Sequence, residues 1–262
     1  NLIKKFTDLY PKSTIKSILE KGILIKTISI DKGELHPWST WPTVHRGVDN
    51  SIHKINYINQ DLKKINRIYP PIWEILASNN IDVGIFGSLQ SYPPLKNKNV
   101  KFFVPDTFAP KSDTFPNYLR SFQEFNLKMG GDNKAINKKI DKKSFKLFLK
   151  VLSKRQIKLS TLIKLTFHIT CEKINTLYEK RRSLMQPVLG FDLFFNELKV
   201  KKPTFSTFFT NHVAGMMHKY WKDLFNESHN IEEPNLKKFN SLSIIEAMKI
   251  ADKQILKLKK FC

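Results

Sequence analysis

Apolar residues recur at helical spacing near the start of the chain, at Ile3, Phe6 and Leu9 and again at Ile15, Ile18 and Leu19, and the pattern stops at Gly22. This spacing predicts a helix over 2–21 closed by the glycine. Residues 23–30 then read as a strand. A short helix is expected over 72–77 behind Pro70 and Pro71, then a buried strand over 81–87 with a glycine exit and another over 100–104 stopped by Pro105. Alternation of helix and strand argues for an α/β fold: a mostly parallel central sheet with helices on both faces.

From residue 113 to 198 the pattern becomes long, Lys-rich and helical, as over 142–153 and 159–182, with one strand expected at 189–195. That region reads as a largely helical insertion or cap. The β-branched, aromatic run 204–210 restores a strand, 215–225 is helical, and 242–260 is an amphipathic helix. The chain therefore divides into an N-terminal part of the α/β core (1–112), the helical insertion (113–198) and a continuation of the core (199–262). No internal repeat or low-complexity linker interrupts it.

Three segments carry chemistry beyond periodicity. Pro37-Trp38-Ser39-Thr40-Trp41-Pro42-Thr43-Val44-His45-Arg46-Gly47 places hydroxyls between tryptophans and prolines directly after an expected strand, with His53 following. Open α/β folds bind ligands at such carboxyl edges; a rigid aromatic turn that only packs is the competing reading. Thr210-Asn211-His212 ends an expected strand, with His218 six residues on. Six residues of continuous helix would set two histidines about 240° apart, so they converge on a metal only if His212 belongs to the strand end and His218 to the following helix. Packed or surface histidines are the alternative. The runs 83–94 and 103–109 each lead from a strand into a turn at the same expected edge, with Asp106 a pocket or turn residue.

Composition narrows the picture. The chain has 262 residues, 41% hydrophobic, enough for a substantial core. Lysine, Asn or Asp interrupts every apolar run before a transmembrane length. The net charge of +22 would suggest a polyanion partner, yet only six of the 45 basic residues are arginines (Arg46, Arg67, Arg120, Arg155, Arg181, Arg182). Base readout favours arginine forks, so a specific nucleic-acid reader is not expected and the charge serves at most to steer anionic substrates. Cys171 and Cys262 make neither a disulfide framework nor zinc-finger spacing, which slightly favours a reducing, cytoplasmic setting. Localisation is otherwise open, because a leader would precede Asn1.

Taken in order, these segments resemble the alkaline phosphatase-like superfamily, within it the type I phosphodiesterase and nucleotide pyrophosphatase group. Thr40-Trp41-Pro42 is similar to that group's Thr-x-Pro nucleophile turn, Val44-His45-Arg46-Gly47 to its Thr-Gly element, Ile52-His53-Lys54-Ile55 to a degraded His-Gly element, and His218-Lys219-Tyr220-Trp221 to the second half of its Asp-x-x-x-His metal pair. The helix carrying Asp252 and Leu256 is similar to the one before the family's Ser-Asp-His-Gly strand.

The resemblance implies hydrolysis of phosphodiester or phosphomonoester bonds in a small-molecule substrate, through a threonine nucleophile assisted by two divalent metal ions, usually zinc. Thr40 is the implied nucleophile and Thr43 its rival. His45, Arg46 and His53 are implied phosphate contacts or supporting groups, and His218, with Asn211 or His212, the implied metal ligands. Ala214 stands where the family has Asp, and the remaining metal carboxylates and histidine would lie before Asn1 and after Cys262. The resemblance thus implies a middle fragment with an incomplete metal site. The sulfatase branch is disfavoured, since it would need Cys or Ser at Thr40 and Arg at Val44. The contrasting expectation is a noncatalytic basic module that binds anionic partners.

Overall fold

Three short parallel strands organise the chain in the computed structural model, which describes residues 1–130, 146, 149, 157–225 and 233–262. β1 (Val83–Phe86) lies between β2 (Val100–Val104) and β3 (Phe205–Phe208), in the order β2-β1-β3. Val83 pairs with Phe205 and Phe86 with Phe208, in uninterrupted register. On the other side Val83 pairs with Val100 but Gly84 with Phe102, so β2 carries one extra residue, Lys101, as a bulge. The parallel sheet expected to join residues 81–87 with 204–210 is present.

Strand alternation sorts the sheet's side chains onto two faces. Val83, Ile85, Val100 and Phe103 pack on Trp73 and Ala77 of a helix, Ile72–Ser78. The opposite face is aromatic: Phe86 meets Phe122, Phe194 and Phe208 at ring separations of 5.5, 6.0 and 5.8 Å. Phe122 belongs to the helix Arg120–Gly130 and Phe194 to Met185–Lys201. Helices thus cover both faces, and each fully buried large side chain contributes roughly 1.5–3 kcal/mol. Phe102 lays its ring across Gly84, where a Cβ would stand 2.3 Å from the nearest ring carbon, so only glycine fits there.

Among the described residues the α-helices in chain order are α1 (Leu2–Leu9), α2 (Thr14–Lys21), α3 (Pro37–Arg46), α4 (Asn50–His53), α5 (Lys63–Ile68), α6 (Ile72–Ser78), α7 (Arg120–Gly130), α8 (Leu159–Ile174), α9 (Met185–Lys201), α10 (His212–Phe225) and α11 (Pro234–Lys259). A 3-10 helix spans Thr176–Leu184. Two compact units emerge: one of residues 1–27, 167–188 and 210–262, the other of 28–166 and 189–209. The second holds the sheet. The first is helical, its core formed by Leu2, Phe6, Leu184, Met216, Tyr220, Leu224 and Ile244 among others. There Asp252 accepts the Ile15 amide (2.7 Å) and the Leu224 carbonyl accepts the Lys5 ammonium (2.7 Å), tying α2 to α11 and α1 to α10. No described helix is long and apolar enough to cross a membrane.

Several expectations need correction. The helix over 2–21 is two helices, because Pro11 disfavours a helical Tyr10 and Ser13 recaps the chain through the Lys16 amide (3.3 Å). Residues 189–195 are helical, inside α9. An apolar run of that length fits a buried helix as well as a strand, and periodicity does not separate them. Residues 23–30 form no strand in this chain, since no described strand lies beside them. The helix expected at 142–153 lies outside the described residues apart from 146 and 149.

Candidate functional site

The segment 37–47, expected as a turn, is the helix α3, and its sequence explains why. Pro37 occupies the first helical position, where its missing N–H costs nothing, and Gly47 closes the helix at φ +70°. Pro42 lies inside the helix and cannot donate to Trp38 four residues back. The freed Trp38 carbonyl instead accepts from Gln90 Nε2 (3.4 Å), which also donates to the Tyr57 carbonyl (2.6 Å).

Gln90 follows the carboxyl end of β1. Trp41, on the same helix, packs edge-on against Phe209, the residue after β3, at 4.9 Å. Both contacts fix α3 at the carboxyl edge of the sheet, beside β1 and β3. The chain leaves β1 for β2 on one side and later enters β3 on the other, so this edge is a topological switch point, where open α/β sheets bind ligands. Backbones are close here: at Gly87 (φ +76°) a Cβ would stand 2.9 Å from the Phe209 carbonyl oxygen. Ser88 Oγ and Thr207 Oγ1 share a hydrogen bond of 2.8 Å across the two strands.

The two candidate nucleophiles differ in their surroundings. Thr40, in the first turn of α3, is half-buried, and its hydroxyl makes no hydrogen bond among the described residues. Thr43 Oγ1 is 2.6 Å from Asp31 Oδ1, 3.0 Å from His53 Nε2 and 3.3 Å from the Ser39 carbonyl. The direction of this chain follows from its end: the Ile55 amide donates to His53 Nδ1 (2.9 Å), so the neutral ring carries its proton on Nε2. His53 therefore donates to Thr43, and Thr43 donates to Asp31. Burial, with Arg46 adding to it, holds His53 below its usual pKa and keeps it neutral. In this state His53 is not a base for Thr43. Asp31 Oδ1 also accepts the Asn50 amide (3.0 Å), and Asn50 clasps the backbone of Lys32 through both ends of its side-chain amide. The network fastens the 31–32 backbone to α3 and α4.

His45 is buried between Trp73 (4.8 Å) and Trp41 (5.9 Å), and desolvation, with Arg46 beside it, lowers it to about 3. It is a neutral packing group. Arg46 donates through Nη2 to Asn66 Oδ1 (2.7 Å), and Asn66 Nδ2 donates to Glu74 (3.0 Å). Desolvation brings Arg46 down to about 10 while burial raises Glu74. The Arg46 Nε and Nη1 donors are buried with no partner among the described residues. Asn66 and Glu74 line a cleft of about 1060 Å³ that also includes Lys63, Lys96, Lys98 and Phe115.

The implied metal ligands do not fit that role in the described residues. His212 and His218 both belong to α10, and six helical residues set them about 240° apart, His212 buried and His218 exposed. His212 Nε2 is 3.1 Å from the Ala247 carbonyl and must carry the proton; Nδ1 then accepts the Thr210 hydroxyl at 3.0 Å. Neither nitrogen keeps a free lone pair, and burial lowers the ring to about 4. Asn211 is exposed just before the helix. These three residues belong to the helical unit and Thr40 to the sheet unit. Among the described residues no three His, Cys, Asp or Glu side chains group at metal-binding spacing.

Asp106 is a turn former: it is buried, and accepts from the amides of Phe108 (2.8 Å) and Ser91 (3.4 Å). Asp31, Asn50 and Asn66 carry no signal of their own in the sequence, and Gln90 stands out only as a member of the run 83–94. Each works through partners 8 to 52 residues away, which no local motif records. Comparison with protein-family models, with curated proteins and with solved structures finds no match to this chain.

Proposed function

We propose that this chain carries the nucleophile of a hydrolase for phosphate esters, with Thr40 as the attacking hydroxyl. The observation that carries the reading is the seat of α3 on the switch-point edge, fixed by Trp41 against Phe209. Thr40 lies near the amino end of α3, its amide bonded to the His36 carbonyl (2.9 Å) and its hydroxyl unspent. Thr43, three residues on, is consumed in holding Asp31 and His53, which makes it a positioning residue. The resemblance of Thr40-Trp41-Pro42 to a Thr-x-Pro nucleophile element supports the same choice.

In this reading the Thr40 oxygen bonds to phosphorus as the ester oxygen departs, and the hydroxyl proton leaves with the alcohol. Water then cleaves the phosphothreonine and restores the hydroxyl. The net charge of +22 supports an anionic substrate by raising its concentration near the surface. No step is assigned to a metal, because Asn211, His212 and His218 do not form its donor set.

The test is turnover of aryl phosphate monoesters and diesters by the wild type, Thr40→Ala and Thr43→Val. The reading expects a loss of several orders of magnitude in Thr40→Ala alone. Equal activity in Thr40→Ala and wild type would overturn it, and saturable anion binding without turnover would favour a noncatalytic basic module.

A further inference from the structure

Residues 23–30 present large aliphatic side chains that the described chain leaves uncovered. Ile23, Leu24, Ile25, Ile28 and Ile30 are 68–90% exposed. The segment has no regular secondary structure, and its backbone makes no hydrogen bond to another backbone group among the described residues. Ile23 and Ile25, with Thr27 and Ser29, belong to one alternating set and Leu24, Ile28 and Ile30, with Lys26, to the other, so as a strand it would carry large apolar side chains on both faces. That is the pattern of an interior strand, one that gains a sheet neighbour and cover above and below.

The same chain offers the complementary feature. The outer edge of β2 is engaged, because Phe103 and Phe115 exchange both backbone hydrogen bonds (2.5 and 2.9 Å). β3 is different. The Phe205 amide donates to the Asp82 carbonyl (3.0 Å) and the Phe209 amide to Phe86 (2.9 Å), so residues 205, 207 and 209 address β1. Ser206 and Phe208 then turn their N–H and C=O groups outward, and no described strand meets them. A free edge is a template for strand addition.

We infer that residues 23–30 pair, as a strand, with the outer edge of β3 in a second copy of this chain, giving a symmetric dimer that exchanges two strands. The exchange is self-complementary, since each copy supplies one unpaired strand and one unpaired edge, and it closes at two copies. Its size is adequate. At roughly 100 Å² of apolar surface per large aliphatic side chain, the two strands withdraw on the order of 1,000 Å² before the surfaces they cover are counted, within the range of specific interfaces. This inference is independent of the proposed activity.

Sedimentation of the 262-residue chain over about a hundredfold range of concentration tests it. The wild type should sediment as a dimer. Ile25→Lys and Ile28→Lys alter exposed side chains, so their thermal melts, read at a concentration where the wild type is monomeric, should match it. Each should weaken dimerisation at least about tenfold. Ser206→Pro removes the outward N–H of β3 and should weaken it likewise. A wild type that stays monomeric throughout overturns the inference, as does a dimer indifferent to the lysine substitutions. A dimer sensitive to lysine at 25 and 28 but not to a folded Ser206→Pro variant overturns β3 as the acceptor.

Discussion

Thr43→Val replaces a hydroxyl by a methyl at nearly constant volume, so it isolates the hydrogen bonds from the packing. The lost groups are a donor to the Asp31 carboxylate at 2.6 Å and an acceptor for the buried His53 Nε2–H at 3.0 Å. A hydrogen bond to a charged partner contributes about 1.5–3 kcal/mol, and a buried donor left unpaired costs about 1–3 kcal/mol. Asp31 is half-buried and keeps the Asn50 amide, so the first figure belongs at its lower end. The expected destabilisation is about 2.5–4.5 kcal/mol. In urea this moves the midpoint down by about 1 M or more, for a slope of roughly 2–3 kcal/mol/M. Tryptophan fluorescence is a suitable probe, because Trp38, Trp41 and Trp73 all belong to the sheet unit. Asp31→Ala combined with Thr43→Val should cost less than the two separate losses added together, since both remove the same bond. A Thr43→Val protein within about 0.5 kcal/mol of wild type would refute the network's structural role.

Further outcomes follow from the same geometry. Gly84→Ala drives a Cβ into the Phe102 ring and should destabilise by about 1–3 kcal/mol, measured by thermal or urea unfolding. The folded pKa values of His45 and His212 lie below the unfolded value of about 6.5, at about 3 and about 4, so stability is complete above pH 6.5 and falls as pH drops toward 3 while the unfolded chain gains protons first. His45→Phe should therefore flatten part of that decline in unfolding measured across pH 3–8, while at neutral pH it loses little, because His45 Nδ1 has no partner to forfeit. Trp41→Ala should cost about 1–2 kcal/mol and depress turnover more than its stability loss explains, because it releases α3 from Phe209.

The sequence was most legible where local chemistry and tertiary context agree. The strands at 83–86, 100–104 and 205–208 are short β-branched or aromatic runs bounded by Gly and Pro, and all three appear in the sheet, parallel as expected. The run 189–195 misled because a helix buried on all sides and a buried strand share one apolar signature. The run 23–30 has every local property of a strand, yet a strand is a pairing and the partner is not a local property. The hydroxyls and aromatics of 37–47 mark it as a candidate in the sequence, but its helical state was not readable there, since two prolines suggested a turn. Pro37 in fact starts α3, and Pro42 is tolerated because Gln90 takes up the carbonyl it frees. The histidines at 212 and 218 failed to converge because the helix begins at His212, a boundary shift of three residues from the expected start at 215.

The most direct test of the central claim is to trap the covalent intermediate. The wild type is mixed with a slowly hydrolysed aryl phosphate ester, quenched in acid, digested and mapped by mass spectrometry. The account predicts phosphate on Thr40, absent from Thr40→Ala and retained in Thr43→Val. Phosphate on Thr43 instead, or turnover by wild type with no phosphorylated residue in α3, would contradict it.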